Sequence, residues 1–266
     1  MRLSIDHRTT YRFTEPQARV VQLLRLSPED THDQTIASWR IDVDCDSRLK
    51  PGRDGFGNKI LMLYAEGPVT EIEIAVTGEV LTADAIGVLR GAHETLPPPL
   101  YLRPTDLTPV DARLRAFAEE VAVSDDGIER LHLLNTALKR RFAVDLGRPE
   151  QGLGAGAAFE RKTATSRDMA QMFVAAARAI GMPARYVSGY CNMAMEGVTP
   201  HGWAEAHVER LGWTGFDPCF GLAVDENYVR VAIGLDATGA APVAGIRMGT
   251  GREQLDVDLH VEQVGE

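Results

Sequence analysis

Residues 164–190 read ATSRDMAQMFVAAARAIGMPARYVSGY. Met169, Met172, Phe173, Ala176 and Ile180 recur at spacings of three and four, so they line one face of a helix over 166–180. Thr165 or Ser166 can cap its start, because a side-chain oxygen there accepts from a backbone N–H that has no partner inside the helix. Gly181 and Pro183 end it. Arg185–Tyr190 then reads as a strand, and Trp203–Leu211, Trp213–Asp217, Tyr228–Ile233 and Leu255–Val261 read as further strands. A helix with one apolar face followed by successive short strands predicts a core that mixes helix and strand.

Upstream, Asp111–Val121 predicts one helix and 124–142 a second, with Ile128, Leu131, Leu134 and Leu138 on its apolar stripe. Lys139, Arg140 and Arg141 complement the negative end of that helix. Gly152–Gly156 lacks the lysine of a phosphate-binding loop and reads as a flexible connection. Residues 97–109 hold five of the fourteen prolines, which predicts a semi-rigid linker. Before it the period is two: Leu3, Ile5, His7, Thr9, Tyr11 and Phe13 alternate with polar residues, as do Trp39–Cys45 and Ile72–Val76. Asp54–Asn58 supplies a reversal between them. The expectation is an α+β chain. An N-terminal β-sandwich fills 1–96, a proline-rich linker 97–109, and a core of helices on an antiparallel sheet, with its C-terminal strands, fills 110–266.

The 266 residues are 44% apolar and 25% charged, enough to fill a core without cross-links. The net charge of −10 argues against nucleic acid or an anionic membrane as a partner, since both are bound by neutralising phosphate. Three scattered cysteines (Cys45, Cys191, Cys219) do not make a disulfide scaffold or a four-thiolate zinc site. No hydrophobic leader opens the sequence, so the expected location is cytoplasmic.

Four motifs follow in order. They are Ser166-Arg167-Asp168 at the helix head, Arg185–Tyr190 on a strand, His201-Gly202-Trp203-Ala204-Glu205 opening the next, and Gly215-Phe216-Asp217-Pro218. In this order and at these gaps the chain resembles the bacterial branch of the transglutaminase-like superfamily over nearly its whole length. The resemblance implies a papain-like core behind the β-rich N-terminal domain that this branch carries. It also implies a triad of cysteine at a helix N-terminus, histidine on a neighbouring strand and aspartate on the next. A helix end and an imidazolium both stabilise a thiolate, and an aspartate fixes the tautomer of the histidine. Carried over by position, the histidine falls on His201, the aspartate on Asp217 and the nucleophile on Ser166. Where the family has Gly-x-Cys, this chain has Ala164-Thr165-Ser166.

A serine hydroxyl holds no standing alkoxide near neutral pH, so Ser166 can attack only with His201 taking its proton. Three readings of Ser166 stay open: a cysteine replaced to silence or trap an enzyme, a natural pseudo-enzyme that binds, and a working serine variant. The implied reaction is amide hydrolysis or acyl transfer on a peptide or protein through an acyl-enzyme; the alternative is a non-catalytic peptide- or protein-binding protein. Trp203 either flanks the substrate channel or packs beneath the histidine. Asp168 reads as a helix-dipole residue, Cys45 and Cys191 as packing residues, and Cys219 as a replacement for a small polar loop residue. His201 and His207, about 20 Å apart along a strand, are too distant to share a metal. No cofactor or metal is expected. Substrate choice is expected to lie in the loops 147–165 and 192–200.

Overall fold

The alternating N-terminal segment is the first half of a 23-residue strand, β1 (Arg2–Leu24), in a computed structural model that describes residues 1–109, 111–193 and 200–265. Then come β2 (Gln34–Asp44), β3 (Ser47–Arg53) and β4 (Lys59–Thr82), followed by a 3-10 turn over Pro98–Leu102. The second half adds α1 (Ala112–Val121), α2 (Gly127–Arg141), β5 (Ala143–Val144), α3 (Ala155–Phe159), β6 (Thr163–Ala164) and α4 (Ser166–Ala179). It closes with β7 (Ala184–Cys191), β8 (His201–Val208), β9 (Gly212–Asp217), β10 (Leu222–Ala223), β11 (Tyr228–Gly234), β12 (Val243–Met248) and β13 (Glu253–Gln263).

β1 and β4 pair antiparallel along almost their whole length, with the register breaking between Arg12 and Arg19. β2 and β3 lie end to end along the other side of β4. On the open side of β1, β13 pairs with Leu3–Phe13 and β12 with Arg19–Leu24. The expected two layers of a sandwich are therefore hydrogen-bonded into one six-stranded sheet, and side chains from both halves (Tyr11, Ile72 and Ile74; Val20, Leu63 and Ala65) share one apolar cluster. The C-terminal strands, expected with the core over 110–266, complete this first sheet instead. Local alternation identifies a strand but does not name its partner.

The core sheet has the order β10-β9-β8-β7-β11, antiparallel throughout. α4 lies across it, with Phe173 stacked on Phe216 at 5.2 Å. α4 is apolar nearly all round because α1, α2 and α3 cover its other side. Arg178, on its last turn, is buried and donates to the carbonyls of Ala184 and Leu235 and to Thr108 Oγ1. Two expected loops are more ordered than their composition suggests. Residues 155–159 of the glycine-rich stretch form α3, with Phe159 buried beside Phe142 and Phe117. The proline-rich linker is anchored by Tyr101, fully buried against Trp213 at 5.0 Å.

The two sheets share a joint of Leu3, Ile5, Val80, Tyr190, Val229 and Val231. Across it the His7 ring shares a hydrogen bond with the Tyr190 hydroxyl (3.0 Å). Edge strand β11 is covered from the first sheet by two side-chain amides. Gln34 bonds both the N–H and the C=O of Arg230, and Asn58 does the same at Ile233. Each amide stands in for a neighbouring strand, which an exposed edge otherwise lacks.

Candidate active site

Antiparallel pairing of β8 with β9 brings the opening residue of one beside the closing residue of the other. There His201 Nε2 and Asp217 Oδ2 lie 2.6 Å apart. Asp217 is fully buried, and its carboxylate takes two further bonds: Tyr228 Oη donates to Oδ2 (2.8 Å) and the Cys219 N–H to Oδ1 (2.8 Å). Burial, and then the Asp217 carboxylate, push the Tyr228 phenol far above its usual range, so it stays a donor. The His201 ring is packed by Trp203, Phe220 and Tyr228 at 5.7–6.2 Å. With Nε2 engaged by Asp217, Nδ1 is the ring nitrogen left for a reacting group.

Ser166 is the first residue of α4. Thr165 caps the helix and Asp168 completes a capping box: Thr165 Oγ1 accepts from the Asp168 N–H, and Asp168 Oδ2 accepts from the Thr165 N–H. Asp168 is thus a cap as well as a charge at the positive helix end. Ser166 and His201 line one cavity of about 800 Å³, with Cys191, Phe220 and Leu259–Glu262 of β13 among its walls. Among the described residues, His201 has its hydrogen bond to Asp217 and none to Ser166. A second cavity of about 660 Å³ shares His201 and is lined by Arg148, Arg167 and Tyr186. His201 is therefore a wall of both spaces.

Trp203 is not a wall of either cavity. It is 1% exposed and lies beneath the His201 ring (centroids 6.2 Å apart, planes 26° apart), so the substrate-binding reading of Trp203 gives way to packing. Cys191, expected to pack, does face the cavity; burial pushes its thiol up to about 12, so it is no thiolate at neutral pH. Cys219 is fully buried, its thiol is likewise raised to about 12 by burial, and its backbone serves Asp217. Of the loops expected to select substrate, 147–165 borders both cavities through Gly147 and Pro149, while residues 194–199 of the other lie outside the described residues.

Sequence reasoning missed an ion chain in the core sheet. Arg185, fully buried, donates to Glu205 (2.6 Å) and to both oxygens of Glu94 (2.7 and 2.8 Å), while Arg230 donates to Glu205 (2.7 Å). Burial alone would raise the Glu205 carboxyl, but Arg230 and Arg185 outweigh it and hold it down to about 2. Arg185 also stacks on Trp213, 3.9 Å from the ring centroid. An arginine and a glutamate facing each other on adjacent strands (Arg185 opposite Glu205) was the one available signal.

Comparison with known proteins agrees with this architecture. Residues 3–81 match the bacterial transglutaminase-like N-terminal region, and residues 115–218 match the transglutaminase-like superfamily. An uncharacterized protein of Mycobacterium leprae is 24% identical over 99% of both chains. An uncharacterized protein of Mycobacterium tuberculosis is 25% identical over 99% of this chain and 92% of its own. The crystal structure of a candidate cysteine protease from Cytophaga hutchinsonii superposes with a TM-score of 0.81 at 18% identity, over 100% of this chain and 91% of that one, a likeness of fold. With the two matched regions in this order, the chain belongs to the transglutaminase-like superfamily and carries the bacterial transglutaminase-like N-terminal region ahead of its core.

Proposed function

We propose that the chain is built for amide hydrolysis or acyl transfer on a peptide or protein, with Ser166 at the nucleophile position, His201 as proton carrier and Asp217 as the group that holds it. One observation carries this reading: a buried Asp217 holds His201 by Nε2 beside the cavity that contains the first residue of α4. In that reaction Nδ1 of His201 takes the Ser166 proton as Oγ attacks the carbonyl carbon. The same proton then passes to the leaving amine as the C–N bond breaks. Water or another amine repeats the sequence on the acyl-enzyme. Asp217 keeps the Nε2 proton and stabilises the imidazolium in between. The N–H of Ser166, at the positive end of α4, is positioned to stabilise the oxyanion.

Serine is a weak nucleophile in this setting, because the helix end and the imidazolium favour a thiolate far more than an alkoxide. The Ser166→Cys protein is therefore expected to be alkylated by iodoacetamide at position 166 at least tenfold faster than at Cys191 or Cys219 across pH 5–8. His201→Ala in that background is expected to abolish the advantage. Mass-spectrometric mapping of the adducts decides it: equal rates at all three positions would remove the catalytic reading. They would leave the second reading, a peptide-binding protein without turnover, which is favoured by the serine itself and by the lack of a Ser166–His201 hydrogen bond among the described residues.

A further inference from the structure

One wall of the Ser166 cavity belongs to β13, an edge strand. Among the described residues β13 pairs with β1 alone, so one of its edges has no neighbouring strand. Which backbone groups face that edge follows from the register. The ladder is closed at one end by Thr14 N–H donating to the Arg252 carbonyl and at the other by Val264 N–H donating to the Arg2 carbonyl. Even-numbered residues of β13 therefore bond to β1, and the N–H and C=O of Leu255, Val257, Leu259 and Val261 point away from it. Arg148 confirms the direction: its guanidinium, reaching in from the loop after β5, donates to the Leu255 carbonyl. From Val257 to Val261 no described group takes the corresponding positions. The edge of β11, by contrast, is covered by Gln34 and Asn58.

Resting on the reading of Ser166 and His201 as the reacting groups, we propose that the substrate is an extended polypeptide that adds to the first sheet as a further strand along Val257–Val261 and so lies across His201. Three observations support this occupant. Leu259–Glu262 and Ser166 are walls of the same cavity, and Leu255 and Val257 are walls of the second, so β13 lines both of the cavities that share His201. An extended residue occupies about 160 Å³, at about 3.3 Å along the strand, 4.8 Å between strands and 10 Å between sheets. The first cavity thus has room for about five residues. Finally, alternating outward N–H and C=O groups complement the backbone of a peptide, whatever its side chains, and do not complement a small amide.

The test uses a mixture of random octapeptides capped at both ends, and the same mixture N-methylated at every residue, so that neither edge of the peptide can donate. Hydrogen exchange of the unaltered protein reads the edge directly, without turnover. Saturation with the plain mixture is expected to slow exchange at Val257, Leu259 and Val261 at least tenfold, with no change at Asp256, Asp258 and His260. The methylated mixture is expected to have no effect. Val257→Pro removes one outward N–H without breaking a β1 bond, and is expected to keep the fold and lose the protection. Iodoacetamide labelling of the Ser166→Cys protein reads the catalytic site separately. Fast labelling without protection of the edge overturns the strand proposal alone, whereas sluggish labelling with edge protection overturns the catalytic reading alone. Equal protection by the methylated mixture also overturns the strand proposal. So does a switch from dimer to monomer in Val257→Pro with octapeptide protection of the remaining edge unchanged, which would give the edge to a second copy of the chain.

Discussion

Asp217 owes its position to three donors and its environment to burial. Removing one of these donors leaves a buried acceptor without its partner, which costs the desolvation of that group. Tyr228→Phe deletes the hydroxyl that shares Oδ2 with His201 and keeps the ring that packs on it. It is expected to lower stability by about 2 kcal/mol, read as a shift of the urea midpoint with an unchanged slope. Some of this was legible in the residues. His201 opens one strand segment and Asp217 ends the next, and antiparallel neighbours bring such ends together. Tyr228 and Cys219 were not legible as its partners, since nothing in a local pattern says which hydroxyl or backbone N–H will meet a buried carboxylate. Trp203 shows the same limit: one period-two face contains both the exposed end at His201 and the buried middle of the strand, so periodicity alone does not separate a cavity wall from the packing below.

At the scale of elements, α4 is the piece whose local signals all agree: an apolar stripe, a capping threonine and a glycine stop. Its capping box also aims the N–H groups that surround Ser166. Thr165→Val keeps the volume and removes the oxygen that accepts from the Asp168 N–H. It is expected to cost about 1 kcal/mol, whereas Thr165→Ser is expected to cost little. The check is the difference between the two in thermal unfolding. In the Ser166→Cys background, the valine variant alone is expected to slow alkylation at position 166. β7, β8, β9, β11 and β13 were legible within a few residues at each end, because alternation is a local property, whereas β1 and β4 run far beyond the alternating segments at Leu3–Phe13 and Ile72–Val76. The assembly of the strands was not legible. The place of β12 and β13 in the first sheet depends on pairings with residues more than two hundred positions away. The amide covers at Gln34 and Asn58 belong to this same class, long-range substitutes for a strand that no local window contains.

For the molecule as a whole, the joint between the sheets carries a titratable group. Burial lowers the His7 imidazole from its usual value to about 4, so the ring is neutral where it meets Tyr190 and Thr9. An unfolded chain takes up the proton near pH 6.5, the folded one only near pH 4. The stability from this group is therefore complete above pH 6.5 and falls as pH falls through that window. The slope is about 1.4 kcal/mol per pH unit and the total on the order of 3 kcal/mol. His7→Gln is expected to lack this slope when urea unfolding is compared at pH 7, 5.5 and 4.5. Glu205 acts in a separate window. Its carboxyl is held down to about 2, so its contribution is present above pH 4.5 and is lost only below it.

The return of β13 to β1 also sets a clock on biosynthesis. Leu3 pairs with Gln263, and the backbone of Val264 is bonded to Arg2. Ribosomes add about 5–20 residues per second, so the open side of β1 waits on the order of ten to fifty seconds for the strand that completes it. In that interval the nascent chain exposes an alternating apolar strand with one flank unsatisfied, which is the form that chaperones hold and that aggregates recruit. The wall of the Ser166 cavity made by β13 is in place only after that strand has docked, so the site is completed late, after both sheets have been made.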